Sequence, residues 1–325
     1  MTTDTSFRDC LPIASVIMPT YNQAGFIGKA IESVLLQTER NLELIIVDNF
    51  SGDGTKDVVL SYCDSRIQYF NFKNNGVIAA SRNFGIRKAK GQYIAFLDSD
   101  DYWDPKKLEH QLIHFRDVRV IAVACRATVF GEEVYYRVQG NYNAKAEFTD
   151  AGYREILNDN QVITSSIVVR AAALTRTNGF NENPDFVCFE DWDLWLQLAK
   201  IGKIRILAQK LVHYFVSRRR AESYCLITEN MTKLIAKERD AGFLPEVNYR
   251  EPANRVFLKI ARSYIELDAK RSREYYWRVL RGSSSINCQL KGLCGLIICC
   301  IPSALRGKVL FGLYQIEHVL NNGQR

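Results

Sequence analysis

Three carboxylates fall within four residues at Asp98-Ser99-Asp100-Asp101, directly after the apolar run Tyr93-Ile94-Ala95-Phe96-Leu97. Packed so closely, they repel one another unless a cation or a set of strong donors answers them. Their oxygens are hard ligands suited to Mg2+ or Mn2+, ions that bind through one or two protein carboxylates plus substrate phosphates. A phosphate-bearing ligand is therefore expected. A calcium loop fits less well, because Tyr102 and Trp103 stand where it needs another oxygen ligand and a turn glycine. Helix capping would account for Asp101 or Asp104 but leaves Asp98 and Asp100 unexplained. A second acidic pair, Glu190-Asp191, opens a stretch of helical periodicity. A carboxylate there suits general-base chemistry, or it complements the positive end of the helix dipole. Asp48 closes the run Leu44-Ile45-Ile46-Val47 before Ser51-Gly52-Asp53-Gly54, where capping the turn is its simplest role.

These acids need a frame, and the chain supplies an alternation of strands and helices. Apolar runs at residues 14–19, 44–47, 67–72 and 93–97 predict strands, and the segments 27–35, 55–62 and 77–89 between them predict helices. Near-continuous apolar strands joined by helices imply βαβ crossovers and a parallel sheet, whose ligands collect at the carboxyl ends of the strands. Asp48 and the Asp98 cluster both lie at such ends. Further on, a helix opened by Asp104-Pro105, strands over 120–130 and 162–170, and a helix over 190–200 are predicted. No GxGxxG follows the first strand, and Gly25-Phe26-Ile27-Gly28-Lys29-Ala30 lacks the spacing and hydroxyl of a P-loop. Dinucleotide oxidoreductases and P-loop enzymes are excluded.

The 325 residues suffice for one large or two modest domains, and 47% apolar with 24% charged residues is the balance of a folded globular chain. Nine scattered cysteines without a CxxC pair, and only four histidines, read as reduced thiols rather than a disulfide framework or a zinc site. No secretory signal opens the chain, so a cytoplasmic location is expected. The net charge of +7 is unevenly spread: residues 1–200 hold 21 Lys and Arg against 26 Asp and Glu, residues 201–325 hold 22 against 10. A basic C-terminal third suits an anionic membrane or nucleic acid, or simply solvated helix faces. Residues 293–301 are apolar but far short of the ~20 residues a spanning helix needs. Beyond them Leu305, Val309, Leu313, Ile316 and Leu320 share one helical face. Such a face packs on a membrane surface, on the protein's own core or on a second subunit.

Five separated motifs occur in order: Val16-Ile17-Met18-Pro19-Thr20-Tyr21-Asn22; Ile45 to Thr55 around Asp48; Asn75-Gly76 with Ala80-Ser81-Arg82-Asn83; Gly91 to Asp101; and Phe189-Glu190-Asp191-Trp192-Asp193-Leu194-Trp195. Over residues 13–216 the chain resembles the family 2 glycosyltransferases of the GT-A fold. That resemblance implies a Rossmann-like, mostly parallel sheet with helices on both faces. The catalytic domain would occupy 1–220, with a nucleotide-sugar half over 13–101 and an acceptor half over 102–220, and a basic helical region would follow over 221–325. It implies inverting transfer from a nucleotide diphosphate sugar with a divalent cation, Mn2+ or Mg2+, to a saccharide or lipid-linked acceptor in surface polysaccharide assembly. An anionic membrane surface is then a possible partner and nucleic acid is not.

Carried over by position, Pro19, Thr20 and Tyr21 match the loop against base and ribose, and Asp48 the base itself. A carboxylate accepts the N3–H of uracil or thymine, which cytosine lacks, so uridine or thymidine donors are favoured. Arg82 matches a basic residue near the nucleotide, with a helix-surface charge as the alternative. Asp98 and Ser99 match the donor side, Asp100 with Asp98 the metal, and Glu190-Asp191 the acceptor-side acids, with Asp191 as base. Trp192 and Trp195 are read as core rather than sugar platforms. The family's histidine after the last catalytic strand has no downstream counterpart: His213 lies just before Tyr214-Phe215-Val216, and Arg218-Arg219-Arg220 follow. Two rival classes are a non-catalytic glycan-binding module on the same fold, which needs no base, and a two-carboxylate glycoside hydrolase, which needs neither metal nor nucleotide.

Overall fold

The computed structural model describes residues 11–131, 146–158, 160–216, 231–243, 253–254, 256–258, 261, 268–282 and 286–301. The chain divides into two compact units, Met1–Arg218 and Arg219–Arg325.

The first unit is built on one sheet. β1 (Ala14–Thr20) and β2 (Leu42–Asp48) are buried along their whole length, as their unbroken apolar runs require of strands covered on both faces. β1 pairs in parallel with β2 on one side and β4 (Tyr93–Phe96) on the other, and β2 pairs in parallel with β3 (Ile67–Asn71). Helices α1 (Ile27–Leu35), α2 (Thr55–Leu60) and α3 (Ile78–Lys88) form the crossovers. The order β3-β2-β1-β4 reverses direction between β1 and β4, so a crevice opens at their carboxyl ends, where Thr20 and Asp98 lie. Gly91 permits the close approach of β4 to β1: a Cβ there would sit 2.6 Å from the Ser15 backbone nitrogen.

The mostly parallel sheet takes in antiparallel strands beyond β4. The full order is β3-β2-β1-β4-β8-β6-β9-β5, with β7 also on β9. β8 (Val168–Arg170) is antiparallel to both β4 and β6 (Val120–Gly131), while β9 (Lys203–Val216) runs parallel to β6 and antiparallel to the short strands β5 (Tyr102–Trp103) and β7 (Phe148–Ala151). The strand expected over 162–170 is confined to β8. Thr164–Ser166 instead forms a 3-10 turn, in which the Thr164 and Ser165 hydroxyls donate to Asp191 and Asp101 and the Ser166 hydroxyl to the Ile163 carbonyl. The helix expected from Asp104-Pro105 begins later, as α4 (Lys107–Leu112). The Asp104 carbonyl accepts from Gln37 and the Pro105 carbonyl from Thr38, which holds both residues in the preceding loop. α5 (Tyr153–Asn158), α6 (Ala171–Leu174) and α7 (Glu190–Ala199) complete the unit.

Trp192 and Trp195 of α7 are both buried, the former donating its indole N–H to the Ile156 carbonyl at 2.7 Å, so both belong to the core. The second unit contains α8 (Met231–Asp240), α9 (Ala269–Gly282) and α10 (Ile286–Cys299). No described helix is long and apolar enough to cross a membrane. The amphipathic face over 305–320 and Arg218 to Arg220 lie outside the described residues.

Candidate active site

At the ends of β1 and β2 two loops are stitched together. The Asn22 backbone N–H donates to Ser51 Oγ at 2.8 Å, Gly52 N–H to Asn22 Oδ1 at 2.9 Å, and Gln23 N–H to Thr55 Oγ1 at 2.9 Å. Asn22 and Phe50 both adopt left-handed backbone (φ +52° and +57°), a sparsely populated state for side-chain-bearing residues that the cross-loop bonds hold in place. Asp48 is buried beside them. Its Oδ1 accepts from the Ser51 N–H and hydroxyl, as a turn cap does, and its Oδ2 accepts from the Tyr69 hydroxyl. Burial and the neighbouring Asp48 charge raise the Tyr69 pKa. Pro19 and Thr20 are buried on β1 and Tyr21 is exposed on the loop. The Thr20 hydroxyl is buried with no hydrogen-bond partner.

At the end of β4, carboxylate oxygens of Asp98, Asp100 and Asp101 lie within 4.8 Å of one another. They do not serve alike. Asp101 is buried and structural: it accepts from Ser165 Oγ at 2.5 Å and from the Phe215 N–H at 2.8 Å, tying β4 to β9 rather than capping a helix. Burial, reinforced by Asp100 and Asp98, pushes its pKa well above the usual carboxylate range. Asp98 donates its backbone N–H to Ser165 Oγ, which also anchors the cluster, and Ser99 is buried next to it. Asp100 is partly exposed. This all-oxygen set, whose charges repel one another, fits a hard divalent cation.

Arg82 connects this cluster to the acids of α7. Its guanidinium is buried on α3, donating from Nη2 to Asp98 Oδ1 at 2.8 Å and from Nη1 to Glu190 Oε1 at 2.8 Å. It is not a helix-surface charge. Burial opposes the charge on Arg82, but Asp98 and Glu190 outweigh burial and raise its pKa. Replacing Arg82 with Met strands two buried carboxylates, and we expect unfolding free energy to fall by about 3–5 kcal/mol. Urea denaturation at pH 7 measures this, and Lys should rescue little because it cannot bond two acids from one plane. A loss below ~1 kcal/mol would show that the two ion pairs hold little together.

Asp191 adjoins Glu190 at the partly exposed start of α7. Its Oδ2 accepts from Thr164 Oγ1 at 3.0 Å and its Oδ1 from the Trp192 N–H at 2.6 Å. Burial first, then the Glu190 charge, push its pKa up to about 7, with Arg82 and Thr164 pulling the other way. Glu190 Oε2 and Arg82 Nε, like Thr20 Oγ1, are buried without hydrogen-bond partners. Orphaned polar atoms in a crevice mark positions that a polar ligand satisfies. His213 faces a different neighbour: its ring stacks on Tyr102 at 4.2 Å. Thr164 and Ser165 were not anticipated. Their signal was three successive hydroxyl residues inside an otherwise apolar run.

Residues 15–183 match the model of the family described as "Glycosyl transferase family 2". The chain belongs to that family. Among curated relatives of this family member, an uncharacterized glycosyltransferase of Rickettsia typhi is 29% identical over 62% of this chain and 64% of its own length. The chain therefore spans slightly less than two thirds of that relative. The Escherichia coli UDP-Glc:alpha-D-GlcNAc-diphosphoundecaprenol beta-1,3-glucosyltransferase WfaP is 33% identical over 59% of this chain and 72% of its own. Solved structures share the fold. Staphylococcus aureus TarS 1-349 in complex with UDP-GlcNAc superposes with a TM-score of 0.61 at 17% identity, covering 91% of both chains. The mannosyltransferase PcManGT of Pyrobaculum calidifontis, in complex with GDP-Man and Mn2+, does so at 0.58 and 16%, covering 93% of this chain and 86% of that one. The fold is thus of GT-A type.

Proposed function

We infer that this glycosyltransferase is an inverting enzyme that moves a sugar from a UDP- or dTDP-linked donor to a hydroxyl of a saccharide or lipid-linked acceptor. The observation that carries the reading is Arg82, which joins Asp98 on the donor side to Glu190 on the acceptor side through one buried guanidinium. Donor and acceptor acids thereby line one crevice. In the reaction, the acceptor oxygen attacks the anomeric carbon opposite the diphosphate, Asp191 takes the hydroxyl proton, and the carbon–oxygen bond to the diphosphate breaks. Asp98 and Asp100 would hold a divalent cation, Mn2+ or Mg2+, which would supply positive charge at the diphosphate. Thr20 Oγ1 offers the donor a buried polar contact, and Asp48 Oδ2, which accepts one internal bond, retains lone-pair capacity for a base N–H. In the same proposal, residues 1–220 carry catalysis and the lipid-linked acceptor parallels the substrate in the name of WfaP.

The test is a screen of nucleotide sugars with Mn2+ and Mg2+, following nucleotide diphosphate release and the product's anomeric configuration by NMR. Uridine or thymidine donors should turn over with inversion. Asp48→Asn should weaken UDP binding about tenfold, the scale of one charge-assisted hydrogen bond. A retained anomeric configuration would exclude the single displacement.

A further inference from the structure

α10 is apolar on two sides. One side buries Cys288, Ile298 and Cys299, and sets Gly292 and Gly295 against Leu280 and Tyr276 of α9. A side chain at Gly295 would collide with the Tyr276 ring, so this face is committed to its neighbour. The other side presents Leu290, Leu293 and Ile297 at 57%, 50% and 59% exposure, with Cys294 and Cys300 exposed on the same stripe. The spacing of these five residues is that of a single helical face. A helix apolar on two opposite sides calls for an apolar neighbour on each, yet no described element covers this stripe.

Length and charge select the occupant. Fourteen residues make α10 roughly 21 Å long, too short for a ~30 Å hydrocarbon core, so a membrane could only be met side-on. α9 exposes Lys270, Arg271, Arg273, Arg278 and Arg281 against the single acid Glu274, and α10 adds Lys291 and no acid. A second copy would bring an equally positive pair of helices to the contact. Residues 302–325 are also net positive, with Arg306, Lys308 and Arg325 against Glu317. An anionic leaflet instead attracts each Lys or Arg. Trp277, 51% exposed with the Arg281 guanidinium 5.5 Å from its ring, is the amphipathic kind of residue that settles at headgroup level.

We propose that α9 and α10 form a docking surface for an anionic membrane, with Leu290, Leu293 and Ile297 entering the headgroup boundary and the basic side chains of α9 among lipid phosphates. The test uses the full chain, co-sedimented with phosphatidylglycerol–phosphatidylcholine vesicles and with pure phosphatidylcholine vesicles. Wild type should bind the anionic vesicles at least about tenfold more than the neutral ones, and lose that preference in high salt. The double variant Leu293→Glu, Ile297→Glu should lose vesicle binding while circular dichroism and turnover of a water-soluble donor stay at wild-type level. Arg278→Gln with Arg281→Gln should lower binding to anionic vesicles alone. Equal binding by wild type and the double Glu variant would overturn the proposal. So would a wild-type dimer, seen by sedimentation velocity, that this variant converts to monomer. Donor turnover is read separately, so failure of membrane binding leaves the catalytic reading standing, and the reverse.

Discussion

Asp191→Asn should lower transfer by about 10²- to 10⁴-fold while the affinity for the nucleotide donor stays near wild type, since the change removes proton acceptance and little else. The wild-type rate should also fall as the pH drops below about 7, where this carboxyl takes up its proton. Stability is expected to move oppositely. A carboxyl whose folded pKa is raised favours the folded state fully below its unfolded value near 4, and that contribution is lost as the pH climbs through about 7. Asn has no charge to bury beside Glu190, so above pH 7 the variant should be more resistant to urea than wild type, on the order of 1 kcal/mol, with the difference gone at pH 4. An enzyme that transfers normally with Asn at this position would remove Asp191 from the chemistry.

Asp100→Ala should reduce activity about 10³-fold and abolish the part of donor binding that depends on Mn2+ or Mg2+, leaving metal-independent nucleotide contacts intact. Isothermal titration with UDP, with and without the ion, separates the two. Full turnover in excess chelator would contradict the assignment. Asp101→Asn is the informative control. Asp101 is already held by Ser165 and the Phe215 N–H, so this change should leave metal-dependent donor binding near wild type.

The parts of this site that lie along a few residues of chain were legible in the sequence. An apolar run ending in an acid places that acid at a strand terminus, and Asp48 and Asp98 follow the rule because β2 and β4 are covered on both faces. The antiparallel strands were harder. β5 has two residues and β7 four, too few to show a period, and both exist because β9 offers a long edge to pair with. Thr164-Ser165-Ser166 broke an apolar run that otherwise reads as strand, since what decides its conformation is bonding to Asp98, Asp101 and Asp191 far away in the chain. Arg82 is the clearest case. Its partner Glu190 is 108 residues distant, and nothing in the helix that carries it distinguishes a buried bridge from a solvated charge.

That bridge makes one planar cation the common counter-ion of Asp98 and Glu190, which the proposed reaction sets on the donor and acceptor sides. A ligand that neutralises or withdraws Asp98 changes the share of the guanidinium's field felt at Glu190, and through Glu190 the proton affinity of Asp191. Linkage between equilibrium binding sites is reciprocal: by whatever factor the donor alters acceptor affinity, the acceptor must alter donor affinity by the same factor. If the proposed reaction holds, donor and acceptor affinities are thus coupled through a wire a single side chain long.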